Sequence, residues 1–168
     1  SAGGQMAGMY GCLLSNSAYK EEFTSFLVEN GIQAPFTLPE RIKIRAIGLN
    51  CGVYHFDENN LESHLKEYLR IGRNKDFNLK QVRLVSVVNH VTKDFPPSFI
   101  MSCEGDFLKG EVPFLTSVLD KNNVEYKKKI LGDKDNPLWH VFHVNMKLDI
   151  AHEINNEEIE FFNSKIEN

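Results

Sequence analysis

Apolar residues Met6, Met9, Tyr10, Leu13 and Leu14 recur at helical spacing from Ala2 to Leu14, and the Ser15-Asn16-Ser17 cluster breaks the pattern, which predicts a buried helix. A second helix is expected from Tyr19 to Asn30, with Phe23, Phe26 and Leu27 on one face and Gly31 as its stop. After Pro35 and Pro39 the pattern changes. From Lys43 to Cys51 the chain turns β-branched and apolar, the look of a strand covered on both faces, and Ser98 to Cys103, led in by Pro96-Pro97, repeats that look. Glu111 to about Asn122 is helical by the spacing of Val112, Leu115, Val118 and Leu119, and Val124 to Leu131 reads as a third strand. The turn-forming run from Gly132 to Pro137 delivers Leu138-Trp139-His140, and Asn155 to Ile166 closes with a helix whose apolar side is Ile159, Phe161, Phe162 and Ile166.

Helices alternating with strands predict an α/β domain built on a parallel sheet of about three strands flanked by helices. Residues 58–91 read as a helical excursion between the first two strands, with Leu61, Leu65, Tyr68 and Leu69 at helical spacing, and it is expected to form a cap over the sheet edge. The 168 residues, 42% hydrophobic and 25% charged, fit a single domain spanning residues 1–168.

The charge of -4 leaves no basic footprint for nucleic acid, and Lys127-Lys128-Lys129 reads as the solvated side of a strand. Cys12, Cys51 and Cys103 form no C-x-x-C pair and sit among apolar neighbours, as reduced thiols of a cytoplasmic protein would. No apolar run reaches the roughly 20 residues a membrane span needs, so no membrane partner is expected.

Three residues draw the chemistry. Ser1-Ala2-Gly3-Gly4 reads as the second half of a G-x-S-x-G nucleophile elbow whose first half would lie upstream, with the glycine two places on removing bulk where strand and helix pass; an ordinary helix N-cap or an expression scar gives the same four letters. Asp106 follows the second strand, and His140 lies on the loop after the third, so both are expected at the carboxyl edge of the sheet, where loops converge. Asp106 is equally a turn or cap residue, and His140, beside Trp139 and Phe142, equally a packed histidine. His140 and His143 form an H-x-x-H that Asp149 or His152 would complete for zinc, and Cys51 with His55 is an alternative thiol-imidazole dyad. His64 and His90 read as exposed helical residues.

The chain resembles the C-terminal half of an α/β-hydrolase of the carboxylesterase or acetyl-esterase group related to hormone-sensitive lipase. Ser1-Ala2-Gly3-Gly4, then Pro96-Pro97-Ser98-Phe99-Ile100 leading to Gly105-Asp106-Phe107-Leu108, then His140-Val141-Phe142, carry the resemblance nearly end to end. It implies a serine esterase acting on short-chain acyl esters, with Ser1 as nucleophile, Asp106 as acid, His140 as base and the Ala2 amide as an oxyanion donor. It implies no cofactor and no metal. The family's HGGG-type loop, the source of its other oxyanion donors, has no counterpart here, so truncation upstream of the nucleophile is expected.

Two rivals accompany that reading. A terminal Ser1 could use its own α-amine as base, as in N-terminal-nucleophile amidases, which begin on a strand. An inactive remnant of a hydrolase would instead leave a strand edge bare, which calls for self-association as a homo-oligomer or for the missing N-terminal half.

Overall fold

A computed structural model describes residues 1–32, 42–57 and 79–166. Helix α1 (Ala2–Ser15) begins where the Ser1 carbonyl accepts the Gln5 N–H at 3.2 Å and ends at Asn16. Asn16 caps the next helix, α2 (Ser17–Glu29), by accepting the Tyr19 N–H at 3.0 Å, while its amide donates to the His90 carbonyl at 3.0 Å. The strands β1 (Ile47–Asn50), β2 (Ser98–Cys103) and β3 (Tyr126–Leu131) pair in that order, all parallel, so β2 is central and buried at every position. The expected α/β sheet is therefore present.

Alternation along β2 builds two cores. On one face Ile100 joins Ile47 and Leu49 of β1 with residues of α1, of α2 and of helix α4 (Glu111–Lys121), including Cys12, Phe26 and Leu115. On the other, Phe99, Met101 and Cys103 meet Ile154 and Phe161 of the last helix, α5 (Asp149–Ile166). The sheet is thus a middle layer between helices.

Several boundaries and faces differ from the sequence reading. β1 starts at Ile47 rather than Lys43, because its partner β2 starts at Ser98 and the preceding proline has no N–H to donate; the Pro97 carbonyl takes the Ile47 N–H at 2.9 Å. The buried side of α1 is Gln5, Gly8, Gly11, Cys12 and Leu13, leaving Met6 61% exposed. Small residues let this helix approach closely: Gly8 lies against Val87 and Gly11 against Phe95. α5 begins six residues before the expected Asn155 and buries Ala151, Ile154 and Phe161, whereas Ile159 and Ile166 face outward.

Residues 58–78 of the expected excursion, with Leu65, Tyr68 and His64, lie outside the described residues. In the described part, from α3 (Leu79–Val85) onward, Leu84, Val87 and Val91 join the core cluster around Ile100. His90 is not an exposed helical residue. It sits in a turn, stacked on Tyr19 with ring centroids 3.9 Å apart, and its Nε2 lies 2.7 Å from the Arg83 carbonyl, while burial lowers its pKa. The lysine run does not all face solvent either, since Lys127 and Lys129 both reach Glu157, at 3.0 and 2.7 Å.

Candidate functional site

Each of the three strands ends in a loop that contributes one side chain to a common cluster. Beyond β2, Gly105 pairs with Trp139 as an isolated parallel bridge and donates its N–H to the Leu138 carbonyl at 2.9 Å, so the loops after β2 and β3 are tied together. A Cβ on Gly105 would stand 2.5 Å from that carbonyl oxygen; only glycine permits the approach. The tie carries Asp106 and His140, the next residues of the two loops, into contact.

His140 Nδ1 lies 2.7 Å from Asp106 Oδ1, and the Asp106 side chain is completely buried while the imidazole is 21% exposed. The carboxylate is well supplied with donors. Oδ1 also accepts the Leu108 N–H at 2.9 Å, an Asx turn, and Oδ2 accepts the Ser102 hydroxyl at 2.8 Å. Burial alone would raise the Asp106 pKa, but the Leu108 N–H, the Ser102 hydroxyl, His140 and Cys51 outweigh it and hold the group below its ordinary value. An ionised carboxylate only accepts, so Nδ1 must be the donor. In a neutral imidazole the lone pair then falls on Nε2, which has no hydrogen-bond partner among the described residues. Phe107 packs on the ring with centroids 4.5 Å apart. The turn reading of Asp106 and its pairing with His140 are therefore both satisfied by one carboxylate.

Ser102 and Cys51 were missed by the sequence reading as neighbours of Asp106. A hydroxyl inside the otherwise apolar run Phe99 to Cys103 was the available signal for the first. Cys51 ends β1 with its N–H on the Met101 carbonyl at 2.8 Å and its backbone in the left-handed region, φ 48°. It does not pair with His55, whose ring stacks on Phe114 at 4.4 Å. Its thiol instead joins Asp106 and His140, with ligand-type atoms of all three within 4.8 Å of one another. Burial first, and then the charge of Asp106, push the thiol up to about 12, so it carries its proton at neutral pH. The H-x-x-H reading fails for a related reason: among the described residues His143, Asp149 and His152 do not converge with His140, and His152 Nε2 lies 3.0 Å from the Met146 carbonyl.

Ser1 precedes α1, its side chain makes no capping bond, and it lines a hollow of about 320 Å³ with Gly3, Gly4, Gly48, Asn50, Val141 and His143. It forms no hydrogen bond with His140 among the described residues; it shares this hollow with the two residues that follow closely after the imidazole. His143 titrates below its ordinary value because of burial and then because the terminal amine lies near. The glycine that admits a close approach is Gly4, not Gly3: a Cβ at Gly4 would meet Gly52 Cα at 2.9 Å, whereas a Cβ at Gly3 would meet nothing within 4 Å beyond its own helix among the described residues. The chain enters a helix directly after Ser1, which removes the strand start that the N-terminal-nucleophile reading required. Glu111 at the start of α4 pins the segment after β1 by accepting the N–H groups of Tyr54 and His55, both at 2.8 Å.

Comparison with solved structures returns esterases. Esterase B from Lactobacillus rhamnosis, described as C6-C4 SN3 inhibited, matches with a TM-score of 0.68 at 22% identity over 99% of this chain and 52% of its own. The same esterase, described with a C4-C4 SN3 tributyrin phosphonate, matches with a TM-score of 0.64 at 20% identity, over 98% and 50%. The acetyl ester-xyloside bifunctional hydrolase from Caldicellulosiruptor lactoaceticus gives 0.61 at 17% identity, over 98% and 54%. The fold is a partial α/β-hydrolase fold. At these identities the likeness is one of fold, esterase-like at that level, and the chain spans about half the length of the solved structures it matches. No family model matches the chain, and no curated protein matches it. No described helix is long and apolar enough to cross a membrane.

Proposed function

We propose that this chain carries the nucleophile, acid and base of a serine carboxylic-ester hydrolase acting on short-chain acyl esters. The observation that carries the reading is the 2.7 Å contact between Asp106 and His140 at the carboxyl edge of a parallel sheet, with the imidazole Nε2 left as the free acceptor. A serine hydroxyl is a weak nucleophile at neutral pH. In the proposed reaction His140 Nε2 takes the Ser1 proton as Oγ attacks the ester carbonyl, then returns it to the leaving alcohol; water repeats the sequence on the acyl-enzyme. Asp106 fixes the tautomer and stabilises the imidazolium, without itself taking the proton.

The tetrahedral oxyanion needs N–H donors, each worth about 3 kcal/mol. Ala2, at the first turn of α1, is proposed as one, and the others are assigned to polypeptide upstream of Ser1. The short-chain class is supported by the tributyrin phosphonate named for one structural neighbour. The test is labelling of the longest polypeptide carrying this sequence with a fluorophosphonate, followed by peptide mapping. The reading expects phosphonylation on Ser1, lost in Ser1→Ala together with hydrolysis of p-nitrophenyl butyrate. Equal rates for Ser1→Ala and the unmodified protein would overturn it.

A further inference from the structure

We propose that Cys51, Asp106 and His140 form a binding site for a thiophilic divalent metal ion of the zinc or cadmium kind, one that sequesters the imidazole when occupied. The three residues leave the ends of β1, β2 and β3 respectively, and their ligand atoms already lie within 4.8 Å of one another without an ion between them. A sulfur, a nitrogen and an oxygen donor together match zinc-type metals; magnesium and calcium prefer sites built of oxygen alone. Charge also fits. Thiolate and carboxylate supply two negative charges to the dication, so the occupied site is neutral, the condition a buried ionic group has to meet.

The carboxylate is already oriented for this task by partners that a metal would not displace: the Ser102 hydroxyl at 2.8 Å on Oδ2 and the Leu108 N–H at 2.9 Å on Oδ1. Binding replaces one proton with the dication: the thiol proton passes to solvent as the metal–sulfur bond forms, and the imidazole proton moves from Nδ1 to Nε2, so that Nδ1 gives its lone pair to the metal while His140 stays neutral. The partly exposed imidazole marks the side from which the ion enters, and where a water completes four-fold coordination. Occupied in this way, the imidazole loses the hydrogen bond that orients it, so the metal acts against the proposed base role of His140. The site itself does not depend on that role.

Cobalt(II) is the probe, added to the same polypeptide. The expected result is a thiolate-to-cobalt charge-transfer band in the near ultraviolet that saturates at one equivalent and is displaced by zinc. Cys51→Ala should lose the band while Cys12 and Cys103 remain, and Asp106→Asn should keep it with at least about tenfold weaker binding. His143→Ala should bind as the unmodified protein does. Absence of a thiolate band in the folded protein, its persistence in Cys51→Ala, or its loss in His143→Ala would each overturn the site. If Cys51→Ala does not fold, the Asp106→Asn titration decides alone, since unchanged affinity there excludes the carboxylate. All these readouts are spectroscopic, so they stand apart from the outcome of the esterase test.

Discussion

Asp106 Oδ1 and His140 Nδ1 stand 2.7 Å apart although 34 residues of chain separate them. What brings them together is backbone: the isolated parallel Gly105–Trp139 bridge ties the loop after β2 to the loop after β3. Replacing Gly105 by alanine places a methyl 2.5 Å from the Leu138 carbonyl, with neither backbone free to yield. Overpacking of this kind costs about 1–3 kcal/mol. Gly105→Ala is expected to lower the unfolding free energy in urea titrations by that amount and to depress ester hydrolysis further than an equally destabilising change elsewhere, for instance Leu119→Val in α4.

Ser102 is the only side chain giving a hydroxyl to the buried Asp106 Oδ2 among the described residues, at 2.8 Å. Ser102→Ala leaves that oxygen without its donor, and a hydrogen bond to a charged group is worth about 1.5–3 kcal/mol. Chemical denaturation should register a loss in that range, with Ser102→Thr retaining more stability than Ser102→Ala if the hydroxyl rather than the volume is what matters.

Two carboxyl groups should respond to pH in opposite senses. Asp106 titrates below its ordinary value when folded, so its contribution to stability is complete above the usual aspartate range and is lost as pH falls through the folded value. Glu158 is raised by burial, only partly offset by the Asn50 amide that donates to both its oxygens at 2.9 and 3.1 Å. The folded state then holds the proton more tightly than the unfolded one, so stability falls as pH rises from the ordinary glutamate value through the folded one. Glu158→Gln, which keeps an oxygen for Asn50, should raise the melting temperature at pH 7 and lose that advantage near pH 4. A melting temperature below that of the unmodified protein at pH 7 would contradict this assignment.

The elements with strong pattern were readable in the chain itself. β2 was bounded correctly because Pro97 and Gly105 bracket an apolar run, and the positions of Asp106 after β2 and His140 after β3 pointed to one sheet edge. Faces were harder to read. In α1 the apolar stripe through Met6 and Tyr10 looks outward, because glycines at Gly8 and Gly11 mark a contact made by backbone proximity that no hydropathy pattern expresses. In α5 the small Ala151 and the lone Ile154 signal burial more faintly than Ile159 and Ile166, which remain exposed. The partners of Asp106 were hidden for another reason. Cys51 reaches it from the end of β1 through the register of the sheet, and Ser102 from four residues back across the turn that closes β2, and no hydropathy pattern expresses either contact.

The esterase reading rests on Asp106 holding His140 as a base, and Asp106→Asn tests it most directly. Asparagine preserves shape but presents an amide to Nδ1, which permits the wrong tautomer, and in serine hydrolases built this way that change costs about 10⁴ in kcat. With folding checked by circular dichroism, hydrolysis of p-nitrophenyl butyrate by the longest polypeptide carrying this sequence is expected to fall by about that factor. A rate within twofold of the unmodified protein would contradict the account.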